Sequence, residues 1–210
     1  MPYNKVMKQA RKRMFISKKT GARERFKLIK LALENECNTL VFSLNDPFFI
    51  SKNRNQKYIK LAVTYALNIE AGGRDLSLLV PRNKFLFNRD LFRMAQGRRK
   101  ASHHFCATNP KTTNLIAERA YKLFDRAMQY TTAPRVFHFL PDEKHEDTWC
   151  QCPACRAFRP VEQYIISVNT AADVLAKFDR DARIMYIDFD PEPEAARVKP
   201  RGNLVISGKD

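Results

Sequence analysis

Short apolar runs alternate with amphipathic helical segments along most of this 210-residue chain, and that alternation constrains the fold more than any other feature. Thr39-Leu40-Val41-Phe42-Ser43-Leu44 and Arg135-Val136-Phe137-His138-Phe139-Leu140 are rich in β formers and too short for helices. Met14–Ile16, Leu67–Glu70, Ile184–Phe189 and Leu204–Ile206 read as further strands. Between them, helical spacing runs from Arg23 to Glu36 (Phe26, Ile29, Leu33) and from Gln56 to Tyr65. Two more helices begin at proline, which is suited to the first helical turn. One follows Asn109, a good N-cap, with Ile116, Ala120, Leu123 and Ala127 on its apolar stripe. The other runs from Pro160 to Phe178, with Ile165, Val168, Ala172 and Leu175 inward.

Strand–helix alternation of this kind builds a mostly parallel sheet with right-handed crossovers. Neither a Gly-x-Gly-x-x-Gly turn nor a phosphate-binding Gly-Lys-Ser/Thr loop follows any strand. An open nucleotide-binding sheet is thereby disfavoured, and a (β/α) TIM-barrel-like domain is expected. A full barrel needs eight strands, and six are countable here. The expected organisation is a basic N-terminal arm over residues 1–13 and a partial barrel over 14–210. Strands one and six would then carry open edges, a known route to self-association.

The net charge of +16 is unevenly spread: residues 1–30 hold eleven Lys or Arg against a single acid, Glu24. Such an arm suits a nucleic-acid partner or is a solvated terminus. No run of about 18 apolar residues exists, so no membrane span is expected. No apolar segment follows the basic start, which points to a cytoplasmic chain.

Chemistry concentrates between Arg135 and Cys155. The fourth strand ends at the acid pair Asp142-Glu143, where barrels keep their catalytic groups. Cys150, Cys152 and Cys155 follow. Five cysteines without a secretion signal argue against a disulfide framework. Thiolates two and three residues apart can converge on zinc, with Cys106 or His145 open as a fourth ligand. Reduced structural thiols with no cofactor are the first expectation, and a cysteine metal site is the second. Glu70 and Asp188, at the ends of strands three and five, are further candidates for a barrel mouth. Arg74, Arg98, Arg99, Lys100, His103 and His104 form or flank a cationic loop suited to a carboxylate. Trp149 could stack on a sugar ring or simply pack.

Several pieces, in order, resemble the bacterial domain-of-unknown-function 4838 family, grouped with α-glucuronidase-like and hexosaminidase-like glycoside hydrolases. They are Asn38–Phe42, Glu70-Ala71-Gly72-Gly73 with Leu79-Val80-Pro81, and Leu91–Met94 with Gly97-Arg98-Arg99. Phe105–Pro110, Cys150–Cys155 and Val168-Asn169 complete the series. His138-Phe139-Leu140-Pro141-Asp142-Glu143 is also similar to the His-x-Gly-Gly-Asp-Glu of family 20 β-hexosaminidases. That resemblance implies Glu143 as general acid and Asp142 as the group orienting a substrate acetamide, the substrate-assisted scheme. It implies a saccharide, an acidic sugar suiting the arginines, bound by Glu70, Arg74, Arg99, His104, His138, Trp149 and Asp188. Leu140-Pro141 in place of Gly-Gly, and Arg74 where the 4838 family commonly has His after Gly-Gly, are departures from the patterns. The family is usually exported, unlike the expectation from the N-terminus. The residues leave open an active enzyme, a truncated inactive form, and a basic nucleic-acid-associated barrel with a cysteine metal site. The last is suggested by tRNA-guanine transglycosylases, barrels that pair Cys-x-Cys-x-x-Cys with a downstream His. No His follows His145 here.

Overall fold

The computed structural model describes residues 12–16, 22–46, 60, 62, 64–189 and 196–207. Most of the basic arm and of the helix expected at Gln56–Tyr65 lies outside the described residues. Six strands form one sheet: β1 (Arg13–Ile16), β2 (Thr39–Phe42), β3 (Asn68–Gly73), β6 (Val136–Phe139), β7 (Arg183–Tyr186) and β8 (Leu204–Ile206). A separate two-stranded hairpin of β4 (Met94–Ala95) and β5 (Arg98–Arg99) sits in the long excursion after β3. The main sheet runs β1-β2-β3-β6-β7-β8, all pairs parallel. A strand order that never reverses is the order of a barrel, whereas a doubly wound sheet reverses midway.

The register sorts the side chains onto two faces. Ile16, Leu40, Phe42, Ile69, Ala71, Phe137, Phe139, Ile184, Tyr186 and Leu204 share the outer face and are buried in the main core. There they meet α1 (Ala22–Glu34), α2 (Pro110–Met128) and α3 (Pro160–Phe178), through Ile29, Leu123, Phe124, Val168 and Leu175. The other face carries Arg13, Phe15, Val41, Glu70, Gly72, His138 and Met185. Among the described residues no helix covers this face, yet Val41, Glu70, His138 and Met185 are buried. Curvature is the reason. On a flat sheet β1 and β6 would stand about 14 Å apart, three strand spacings. Instead the Phe15 and His138 rings meet edge-on, their centroids 5.4 Å apart. The sheet therefore curls about its inner face, which side chains fill as they fill a barrel interior.

The helices start where the sequence says. Asn109 Oδ1 accepts the Lys111 N–H at 2.9 Å ahead of Pro110. At α3, Glu162 accepts the Arg159 N–H at 2.8 Å and reaches the chain after β7 through the Arg197 N–H at 2.6 Å.

Gly72 is the tightest point of the sheet. Its φ is +120°, and a Cβ there would strike the backbone of His138 on the neighbouring strand. Gly72→Ala is expected to cost at least about 2 kcal/mol. Gly97, at φ +71° with open space around it, should cost only about 1 kcal/mol as Ala. Urea denaturation of both variants checks the ranking.

Burial raises the Glu162 carboxyl, but the Arg159, Arg197 and Val198 N–H groups and the Arg159 charge outweigh it and hold the pKa below the ordinary value. The unfolded chain then takes up this proton first as pH falls. The stabilisation is complete above about 4.5 and is lost below that value, as the folded carboxylate in turn protonates. Glu162→Gln should flatten the acid limb of the unfolding free energy measured between pH 7 and pH 3.

Candidate functional site

The carboxyl ends of β1, β2, β3 and β6 open onto a cleft of about 470 Å³, within the range of small-ligand sites. Phe15, Ile16, Ser43, Gly72, Gly73, Arg74, Asp75 and Leu140 line it. This is the rim at which barrels assemble their sites. Asp75, buried just past β3, accepts the Ser43 hydroxyl at 2.9 Å and the Leu44 N–H at 2.8 Å. It thereby joins the loops that follow β2 and β3. Arg74 is exposed on the same rim.

Beneath the rim lies a hydrogen-bonded trio on the inner face. The Arg13 Nε–H donates to Glu70 Oε2 at 2.8 Å, and His138 Nε2 donates to the same oxygen at 2.7 Å. Glu70 and His138 are both fully buried. Both were expected as saccharide ligands from the sequence. The structure instead joins them to each other, with Arg13, across three strands.

Two long loops meet beside the cleft: the excursion from Arg74 to Asn109 and the β6–α3 segment from Leu140 to Arg159. His104 Nε2–H donates to the Glu143 carbonyl at 2.7 Å, and its ring stacks on Trp149 at 3.8 Å. Burial pushes the His104 imidazole down to about 4, so it is neutral at neutral pH. Arg93 extends from the first loop to donate to the Asp147 carbonyl on the second at 2.5 Å. Between the loops the thiols of Cys106, Cys150, Cys152 and Cys155 converge, all four buried, with every sulfur within 4.8 Å of the others. Hydrogen bonds from Cys150 and Cys155, with Arg99 adding to them, push the Cys106 thiol far down. The hydrogen bond with Cys106, with burial adding to it, raises Cys150 to about 11. Among the described residues, this is the group that could hold a metal.

The sequence candidates are thus divided among four places, one of them the inner-face trio that holds Glu70 and His138. Arg74 lines the cleft. Asp142, half-buried, and Glu143, exposed, follow β6 at the same end of the sheet. Arg99 donates to the Phe92 carbonyl at 2.7 Å and faces Cys150 Sγ at 3.7 Å, so it serves the cysteine group. His104 and Trp149 are packed against each other, and Trp149 also stacks on Phe189. Asp188 lies past β7 in a smaller cleft with Ile165, Tyr186 and Lys199. Arg13, Ser43 and Asp75 are additions that no sequence signal marked; Asp75 sits two residues after Gly73, and that adjacency was the one available clue.

The sequence matches no family model and no curated protein. Among solved structures, the tandem GH20 catalytic modules of the pneumococcal exo-β-D-N-acetylglucosaminidase StrH are similar. The TM-score is 0.62 at 13% identity, covering 93% of this chain and 58% of that one. A second StrH structure, concerned with N-glycan recognition and hydrolysis, gives 0.63 at 12% identity over 94% and 57%. The α-galactosidase of Lactobacillus brevis gives 0.50 at 9% identity over 84% and 26%. At these identities the likeness is one of fold. This chain spans less than two thirds of each of these structures. Six sequential parallel strands and these neighbours define an incomplete α/β barrel. The motif resemblance to the 4838 family has no family-model match behind it. Among the described residues, no helix is long and apolar enough to cross a membrane.

Removing Glu70 leaves Arg13 and His138 facing each other without their shared acceptor. Glu70→Ala is expected to cost about 3–5 kcal/mol, the usual cost of breaking a buried ion pair. Asp142→Asn, in the loop, should change stability by less than about 0.5 kcal/mol. Equal losses in urea denaturation would contradict the buried trio as the anchor of the inner face.

Proposed function

We propose that this chain is a glycoside hydrolase-like barrel that binds a saccharide at the carboxyl ends of its strands and, where active, cleaves it with Glu143 as general acid. The observation that carries this reading is the position of Asp142-Glu143. They follow the fourth strand of a sequential parallel barrel sheet, at the end that opens the cleft. The 4838-family motifs and the His138-to-Glu143 spacing support the same reading. So does the fold shared with the StrH modules, which belong to an exo-β-D-N-acetylglucosaminidase. In the substrate-assisted scheme the sugar's own acetamide oxygen attacks the anomeric carbon, Asp142 orients that acetamide, and Glu143 protonates the departing oxygen. Glu143 is exposed in the free chain. The bound sugar must therefore cover it, because desolvation is what keeps a carboxylic acid protonated near neutral pH. Arg74, exposed on the cleft rim, is the cation placed to receive the carboxylate of an acidic sugar.

The test pairs calorimetric titration with N-acetylhexosamine and hexuronate oligosaccharides and turnover of the corresponding aryl glycosides. Glu143→Gln should lower turnover by about 10²–10⁴-fold while leaving binding intact, the range for loss of a general acid. Arg74→Ala should weaken hexuronate binding about tenfold, or about 1.4 kcal/mol, and spare neutral sugars. Wild-type turnover in the Glu143 variant defeats the acid assignment. Absence of binding to every saccharide defeats the wider reading.

A further inference from the structure

We infer that Cys106, Cys150, Cys152 and Cys155 form a closed, tetrahedral structural zinc site that locks the two rim loops together. This inference is independent of any action on saccharides. Cys106 Sγ lies 3.7 Å from both Cys152 Sγ and Cys155 Sγ. Zinc–thiolate bonds of about 2.3 Å, arranged as a tetrahedron, put their sulfurs about 3.8 Å apart. Cys106 thus stands from two of its partners at the separation a zinc ion would impose, and all four free thiols lie within 4.8 Å of one another. A multi-iron cluster spreads its cysteines over several irons and needs a wider cage.

The chain is built around this point. Cys150-Gln151-Cys152-Pro153-Ala154-Cys155 turns tightly enough to bring three sulfurs to one centre. Cys106 arrives from the other loop, some 45 residues earlier in the chain, its N–H held by the Leu91 carbonyl at 2.8 Å. Gln163, buried in the first turn of α3, grips the turn from behind. Its Oε1 accepts the Cys150 N–H at 3.1 Å, and its Nε2 donates to the Cys150 and Cys155 carbonyls at 3.1 and 3.2 Å. Donors face the sulfurs, as they do around zinc thiolates. The Met94 N–H points to Cys150 Sγ at 3.3 Å, Arg99 approaches the same sulfur at 3.7 Å, and the Thr108 hydroxyl lies 3.1 Å from Cys155 Sγ. A cationic Arg99 suits a four-thiolate zinc centre, whose net charge is −2.

The same cysteines form a cluster separate from the main apolar core, with Met94 as the half-buried apolar neighbour packed on it. A metal here would tie the two loops together through their sulfurs, at a point separate from the main core. All four positions are filled by protein sulfur, which leaves no place for substrate or water. The site is therefore structural rather than catalytic.

The experiment is elemental analysis by plasma mass spectrometry on the full chain, purified without added metal. About one zinc per chain is expected. Cys106→Ser and Cys152→Ser should each lower it at least tenfold, whereas Cys37→Ser, buried elsewhere, should keep the full ratio. Should the serine variants fail to fold, the wild-type chain exchanged with cobalt gives a second readout. It should show sulfur-to-cobalt charge-transfer bands and the intense visible bands of tetrahedral cobalt. A wild-type chain free of zinc, iron in place of zinc, disulfides among these cysteines, or full zinc retention in Cys106→Ser would each overturn the assignment.

Discussion

Everything at the rim of this molecule depends on the curl of one parallel sheet. Its outer face is apolar and meets three described helices, which is ordinary for an α/β layer. Its inner face is not covered by any helix among the described residues, and it buries itself by bending. Glu70 makes that bend chemically specific. One carboxylate receives Arg13 from β1 and His138 from β6, groups that a flat sheet would hold far apart. Gly72 allows the closest backbone approach at the same place. Bulk on β3 at that position would push β6 away and open the inner face.

The curl decides where the loops after each strand can meet. Ser43 and Leu44 after β2 come within hydrogen-bonding reach of Asp75 after β3, and Leu140 after β6 completes the cleft. The longer loops then extend sideways and join through His104, Arg93, Trp149 and the four cysteines. Precision at the cleft therefore rests on two kinds of anchoring: backbone pairing in the strands, and side-chain bolts between the loops. Catalytic and binding groups on loops need such support to hold their geometry. Asp142 and Glu143 sit directly between the two, three and four residues past a strand and eight and seven residues before the first cysteine of the turn.

Alternating patterns alone determined most of the architecture. The apolar runs of β2 and β6 and the Pro-led starts of α2 and α3 follow from local periodicity and capping, which act within a few residues. The acid pair and the three clustered cysteines were equally legible, because their spacing is a property of the chain. Tertiary structure alone decided which residues share a site. Glu70 and His138 looked like rim ligands, but the register turns both inward, onto each other and Arg13. Trp149 and His104 looked available to a sugar, but each is covered by the other. Cys106 stood level with His145 as a fourth partner for the cysteines until the folding of two distant loops brought its sulfur to theirs. Periodicity reports which face a side chain occupies. It carries no information on which distant side chain faces it, because that follows from sheet curvature and loop paths that no local segment encodes.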